Sequence, residues 1–151
     1  MVQRFADATP ELYLRDETAW LEATAELVRG GRLELVDTVS LAEYLTDMAK
    51  RDRREVRSRL AVLLHHLLKW HFQPAKRTKS WQRTVIVQRH ELDGAIGEGG
   101  VLRAHADEVL TDQYAEAVRR AAADTGLPRT TFPATCPWTV EQLLSADLLN
   151  G

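Results

Sequence analysis

The stretch that decides the fold is SLAEYLTDMAKRDRREVRSRLAVLLHHLLKW, residues 40–70, which is predicted to form one long helix. Ser40 and Glu43 have the spacing of a capping box, in which two side chains bond the free backbone N–H groups of a helix start. The end is predicted at Gln73-Pro74, because proline disfavours a helical backbone in the residue before it. At about 1.5 Å of rise per residue, the helix would be roughly 45 Å long. This length predicts a central scaffold for the rest of the chain.

The two halves of this helix are expected to differ in burial. Apolar residues recur at the spacing of one helical face, but the charged run KRDRRE at residues 50–55 interrupts them. The leucine-rich segment LAVLLHHLLKW that follows is expected to be buried on most sides, and the first half to pack less deeply. The apolar residues of the stripe are Leu41, Leu45, Met48, Val56, Leu60, Leu63, Leu64 and Leu67.

Helix signals also occur on both sides of the long helix. Thr9-Pro10-Glu11 predicts the start of a first helix, and Gly30-Gly31 predicts its end. Ser80 is predicted to cap a third helix that ends near Gly97. A fourth helix is predicted over about residues 101–125, and Thr139 with Gln142 predicts a capping box for a short last helix.

The fold class predicted from these signals is all-α, because no window alternates between polar and apolar residues as a strand does. We expect a single-domain helical bundle over residues 1–151, with four main helices, one of them long and central, and a short C-terminal helix. Residues 1–8 are expected to be a loose lead. Residues 127–151 are expected to be a proline-rich tail that contains the short helix.

Composition narrows the class of protein. A chain of 151 residues with 44% hydrophobic side chains can bury a core of its own. A formal net charge of -2 makes nucleic acid an unexpected partner. The single cysteine, Cys136, excludes a disulfide within the chain. No signal peptide or bilayer-length apolar run is evident, so we expect a cytoplasmic protein without membrane contact.

A polar stripe follows the leucine stripe on the long helix. Glu55, Arg59, His66, Lys69 and Gln73 fall within about 40° of one direction at 100° per residue. One interpretation is a binding or acid-base site that Gln88 and its neighbours on the third helix complete. The other is a solvated face or a structural network, in which Glu55 and Arg59 form an ordinary ion pair.

Several blocks of sequence resemble the bacterial family catalogued as domain of unknown function twenty-nine. They are HLLKW at 66–70, the serine-tryptophan at 80–81, the glutamine-arginine at 88–89, and the tail TGLP…FP…CPW at 125–138. The resemblance covers about residues 12–148 and implies a compact all-helical domain, but it implies no activity. Residues 47–49 depart from the leucine-glycine type of segment associated with the family.

The resemblance adds recurrent positions to the stripe but gives none of them a catalytic role. These positions are Asp16, Trp20, Glu55, Ser58, Arg59, His66, Lys69, Trp70, Ser80, Trp81, Gln88 and Arg89. From the stripe, the facing helix and these positions together, the predicted binding residues are Glu55, Arg59, His66, Lys69, Ser80, Trp81, Gln88 and Arg89. We expect no catalytic residue, metal ligand or cofactor.

The histidines suggest two further kinds of chemistry. The five histidines include no pair at i,i+4, the spacing that places two imidazoles on one helical face, so no metal site is expected. Arg59 followed by His65 or His66 is similar to the short motif of the all-α HEPN ribonucleases. In such a site arginine would stabilise charge on a phosphate while histidine transferred a proton.

The sequence therefore predicts an interaction or regulatory module of a bacterial cytoplasm rather than an enzyme. Its expected partner is another protein or a second copy of the chain. A HEPN-like ribonuclease and a small-ligand-binding module stay open as alternatives.

Overall fold

The computed structural model describes residues 8–150, and within this range every regular element is helical. The all-α prediction is confirmed, with four long helices and a short C-terminal one. The predicted loose lead lies outside the described residues except for Ala8, which is buried. The α-helices are α1 (Pro10–Arg15), α2 (Glu17–Arg29), α3 (Thr38–Phe72), α4 (Lys79–Ile96), α5 (Gly100–Thr125) and α6 (Val140–Leu143), with 3₁₀ turns at Leu33–Leu35, Pro74–Lys76 and Arg129–Thr131.

The chain divides after Lys50 into two compact units, and α3 contributes to both. The predicted single domain over residues 1–151 stays a prediction. In the first unit, Trp20 is fully buried, and its ring centroid lies 4.7 Å from that of Tyr13 and 6.3 Å from that of Tyr44. Leu27 completes this small core from the next turns of α2.

The first predicted helix is in fact two helices, so that prediction is corrected at Asp16. Asp16 leaves the helical backbone conformation, with φ -148° and ψ 87°, and its carboxylate accepts the N–H of Ala19 at 3.1 Å. Aspartate competes with the helix in this way because its short side chain can satisfy the free N–H groups of a new helix start. Thr9 caps α1 as predicted, and accepts the N–H of Leu12 at 3.2 Å.

The long helix begins two residues earlier than predicted. It starts at Thr38, and Oδ1 of Asp37 accepts the N–H of Ser40 at 3.1 Å. The predicted capping box of Ser40 and Glu43 is therefore wrong, because an aspartate three residues ahead of Ser40 provides the cap. The helix ends at Phe72, directly before the predicted Gln73-Pro74 boundary.

The second unit has its core around the second half of α3. Leu60, Leu63 and Leu64 are fully buried there, as are the alanines of α5 that allow close helix packing. Phe72 meets Phe132 of the tail edge-on, with 5.6 Å between ring centroids. The buried residues of this core are Val56, Leu60, Leu63, Leu64, Leu67, Leu68, Val85, Leu92, Ile96, Ala106, Tyr114, Ala117, Ala121, Phe132, Val140, Leu143 and Leu148.

The remaining helix ends follow the predictions with one correction. Thr78, not Ser80, caps α4, because its hydroxyl accepts the N–H of Trp81 at 3.1 Å. Gly126 ends α5 in the left-handed conformation, with φ 72°, which glycine adopts without a steric cost. The capping box of Thr139 and Gln142 is confirmed at the start of α6. No helix within residues 8–150 combines the length and the apolar character needed to cross a bilayer.

Candidate functional site

The second unit has an arginine groove of about 450 Å³ on the surface of α3 and α4. Its α3 residues recur three or four positions apart, which places them on one face of the helix. Gln88 of α4 forms the opposite side. The groove is lined by Arg51, Arg54, Glu55, Ser58, Arg59, Val62 and Gln88.

Arg59 is the fixed cation of this groove. Its Nε lies 3.7 Å from Oε1 of Glu55, which confirms the predicted ion pair, and its Nη2 lies 3.6 Å from Oε2 of Glu91. Its Nη1 also donates to Oε1 of Gln88 at 3.5 Å. Partly exposed pairs of this kind contribute only about 0.2–1 kcal/mol each, so their main effect is to hold the guanidinium in position.

Arg51 and Arg54 are the free cations of the groove. Both side chains are exposed, and neither has a carboxylate within 4.0 Å among residues 8–150. They belong to a run, residues 50–59, with six cationic and two acidic side chains. The net charge of the chain is negative, but the potential of this face is therefore positive.

A second cluster lies one to three turns further along α3. Nε2 of His65 lies 2.8 Å from Oδ2 of Asp124 on α5, and Nζ of Lys69 lies 3.5 Å from the same oxygen. The Lys69 ammonium also lies 4.7 Å from the centroid of the Trp81 ring, a cation–π contact. The two basic side chains are only 14% and 15% exposed, whereas Asp124 is 49% exposed. We call this group the closed cluster because its cations are covered, unlike Arg51 and Arg54 of the groove.

The electrostatics of the second cluster follow from its burial. Burial lowers the pKa of His65, and the neighbouring His66 lowers it further, although Asp124 acts in the opposite direction. Burial would raise the pKa of Asp124, but the charges of His65 and Lys69 together outweigh it and lower that pKa. Lys69 therefore already has a partner, and the cluster is built as a structural contact.

The family model described as Domain of unknown function DUF29 matches residues 12–149. The chain belongs to this family. No curated protein matches the chain, and no solved structure does. The family brings no activity with it, so only the described residues of this DUF29 chain bear on its function.

Three of the predicted binding residues lie outside the groove lining and form no ion pair with Asp124. His66 lies next to the closed cluster, with its ring centroid 5.0 Å from that of His65. His66 donates from Nδ1 to the carbonyl of Val62 at 2.9 Å, within its own helix. Arg89 donates from Nη1 to the carbonyl of Leu144 at 3.5 Å and so contacts the end of α6. Ser80 is exposed, and its backbone carbonyl accepts the hydroxyl of Thr84 at 3.0 Å.

Four other recurrent positions of this DUF29 chain have visible roles. Asp16 caps α2, and Trp20 is the centre of the first core. Trp70 lies under Arg77, whose guanidinium carbon is 4.7 Å from its ring centroid, and the Nε of Arg77 donates to the Trp70 carbonyl at 2.9 Å. Ser58 is the one that lines the groove. Three of the four are thus explained by folding.

The sequence predictions missed Arg51, Arg54 and Asp124. The two arginines were interpreted as part of a charged interruption, although their spacing from Ser58 and Val62 places all four on one helical face. Asp124 had no signal in its own helix, because its role depends on a contact 55 to 59 positions away in sequence. Within residues 8–150, no three side chains of His, Cys, Asp or Glu are grouped so that they could hold a metal ion.

Proposed function

We propose that this chain is a protein-interaction module that binds an acidic segment of a partner protein in the arginine groove. The observation that carries the proposal is the pair Arg51 and Arg54, exposed beside the fixed Arg59 and without an acidic partner among the described residues. An open cationic surface with one preorganised guanidinium is suited to receiving carboxylates from outside.

The spacing of the three arginines along the axis of α3 supports an extended acidic segment. Along the axis of α3, Arg51 and Arg54 are about 4.5 Å apart, and Arg54 and Arg59 are about 7.5 Å apart. Side chains on one face of an extended peptide repeat every 6.6–6.8 Å or so, within that range. Each guanidinium can bind a carboxylate through two parallel hydrogen bonds. The hydroxyl of Ser58 and the amide of Gln88 offer further bonds to the peptide.

Two features favour an acidic peptide over a nucleic acid. The groove has no aromatic lining residue on which a base could stack. Glu55 lines the groove and Glu91 holds Arg59, and both carboxylates would repel a continuous phosphate backbone. A segment with separated acidic side chains can avoid these two positions.

The test uses the acetylated peptide Glu-Ser-Glu-Ser-Glu-Ser-Glu and its glutamine counterpart, titrated into the labelled chain by NMR. We expect the acidic peptide to shift the amide signals of residues 51–62 and 88, and the glutamine peptide to leave them unchanged. In the double variant Arg51→Glu/Arg54→Glu, binding should weaken by about tenfold or more, since one hydrogen bond to a charged group contributes about 1.5 kcal/mol or more.

The matched control is Lys50→Glu/Arg57→Glu. It makes the same change in net charge on the same helix, but neither residue lines the groove. We expect this variant to retain most of the affinity. Equal weakening in both double variants would show that the peptide responds to overall charge, and would contradict a specific groove.

An RNA cleavage assay distinguishes the ribonuclease alternative from the interaction module. His66 lies on the face of Arg59, about 10.5 Å further along the helix, whereas His65 is paired with Asp124. Cleavage of an RNA oligonucleotide by the unchanged chain, lost in a folded His66→Ala variant, would favour that alternative over the interaction module.

A further inference from the structure

We propose a second binding site, in the cavity between α5 and residues 129–136, for a small molecule with an apolar body and one carboxylate. The cavity has a volume of about 600 Å³, within the usual range of small-molecule sites. It shares no residue with the arginine groove, so this site goes beyond the function proposed above.

The body of the cavity is apolar. On one side α5 contributes Tyr114, Ala115 and Val118, and on the other the chain turns past Phe132 and Pro133. Ala115 is exposed and has only a methyl group, so it leaves open the space that a larger side chain would fill. An aromatic ring or a short alkyl chain would bury its surface against these walls.

The wall formed by residues 129–136 is held in place from behind. The hydroxyl of Tyr114 donates to the carbonyl of Pro133 at 2.6 Å, and Phe132 packs edge-on against Phe72. Burial and the nearby Cys136 raise the pKa of Tyr114 to about 12, so its hydroxyl stays a donor at neutral pH. A preformed wall lowers the entropy cost of binding a ligand.

The charged residues of the cavity are both cationic. Arg119 and Arg129 line it, and no acidic side chain does. Arg119 is already paired with Glu116, which also binds Nε of Arg120 at 3.0 Å. Arg129 is exposed and has no carboxylate within 4.0 Å in the described part of the chain. An anionic head group fits this position, and a planar carboxylate matches a guanidinium best.

The tail motif of the family resemblance forms much of this site. Phe132-Pro133 and Cys136 come from the FP and CPW blocks, which have no part in the arginine groove. Sγ of Cys136 donates to the carbonyl of Trp138 at 3.2 Å. Burial raises the pKa of this thiol, so it acts as a neutral part of the wall and leaves the selection of charge to the arginines.

The experiment is an NMR titration of the full chain with 4-phenylbutyrate. We expect the amide signals of residues 114–118 and 129–136 to shift. The neutral 4-phenylbutyramide tests the apolar body alone, and should bind about tenfold more weakly than the acid. Acetate tests the head group alone, and should shift none of these signals at the same concentration.

Three variants locate the site. Arg129→Gln should weaken binding of 4-phenylbutyrate about tenfold, because it removes the free charge with little change in size. Arg120→Gln is the matched control, since it removes an arginine that is outside the cavity lining, and it should stay within about twofold of the unchanged chain. Ala115→Trp should abolish binding by filling the cavity, with far-UV circular dichroism to confirm that it folds.

Two results would overturn the proposal. One is that the amide signals of residues 129–136 do not shift with 4-phenylbutyrate at up to about 10 mM, since the affinity would then be too weak for a specific site. The other is an affinity for 4-phenylbutyrate that stays equal to that of the unchanged chain in both Arg129→Gln and Ala115→Trp, which would place the binding elsewhere on the chain.

Discussion

The two halves of α3 belong to one continuous helix, but they are held by different interactions. In residues 38–50, Ser40 is the one buried residue. Leu41 and Tyr44 contact the tryptophan core from the side, and Val39 and Leu45 are exposed. In residues 51–72 the helix has a full leucine core. The fully buried residues of that half are Val56, Leu60, Ala61, Leu63, Leu64, Leu67 and Leu68.

The buried apolar face of the second half stabilises the fold, and its open polar face is available to bind a partner. A helix face that packs against other helices must be apolar and closed, whereas a face that binds a partner must stay open. The arginine groove spans residues 51–62 of α3, and the leucine core begins at Val56 on the other side of the same helix, so the buried turns support the open face beside them. The difference between the halves can be measured by mutation, and the largest effect is expected in the leucine core.

Leu64→Ala is expected to destabilise the second unit by about 2.7–5 kcal/mol, because it removes buried methyl groups and leaves a cavity. Leu45→Ala, the same substitution in the first half, is expected to stay within about 0.5 kcal/mol, since Leu45 is 58% exposed. Urea unfolding followed by circular dichroism measures both. Similar losses in the two variants would contradict the difference in burial between the halves.

Asp37→Ala tests how the first half is held. We expect a loss of about 1 kcal/mol, because the substitution removes the side chain that accepts the N–H of Ser40 at the helix start. Asp37→Asn keeps an acceptor there and should lose much less. Ser40→Ala, the cap predicted from sequence, should also cost less than Asp37→Ala. A larger loss in Ser40→Ala would restore the sequence prediction.

These helix ends show what a sequence can predict about this fold. Periodicity and Gly or Pro breaks were sufficient for α3, α4 and α5, because each spans several turns of a consistent apolar face. The first residues of the helices were harder to predict, because several residues near each helix start can act as the cap. Asp37 competes with Ser40 and Thr78 competes with Ser80, and the choice depends on the backbone before the helix.

The candidate site was predictable only in part, for a different reason. Glu55, Arg59 and Gln88 do come together, because the spacing on α3 and the facing helix are both visible in the sequence. Trp81, one of the predicted binding residues, is half-buried outside the groove and contacts Lys69. Contacts such as Lys69 with Asp124 depend on which helix packs beside α3, and no pattern within one helix contains that information.

The smallest expected effect concerns the closed cluster of the second half, and it is a dependence of stability on pH. Burial lowers the pKa of His65 below its usual 6.5, so below about pH 6.5 the unfolded chain binds more protons at this position than the folded one. The stability that neutral His65 provides is therefore present above pH 6.5 and is lost as pH falls. Asp124 adds a loss in the same direction only below its usual value of 3.8.

Melting temperatures measured from about pH 8 to pH 5 isolate the histidine from the carboxylates. In this interval the unchanged chain should become less stable on acidification, and His65→Gln should reduce that dependence. His90→Gln is the matched control, because His90 is exposed on α4, and it should keep the dependence of the unchanged chain. If His65→Gln retained the full dependence of the melting temperature on pH, burial of His65 would not be its cause. The polar residues of the closed cluster would then be as accessible to solvent as those of the groove.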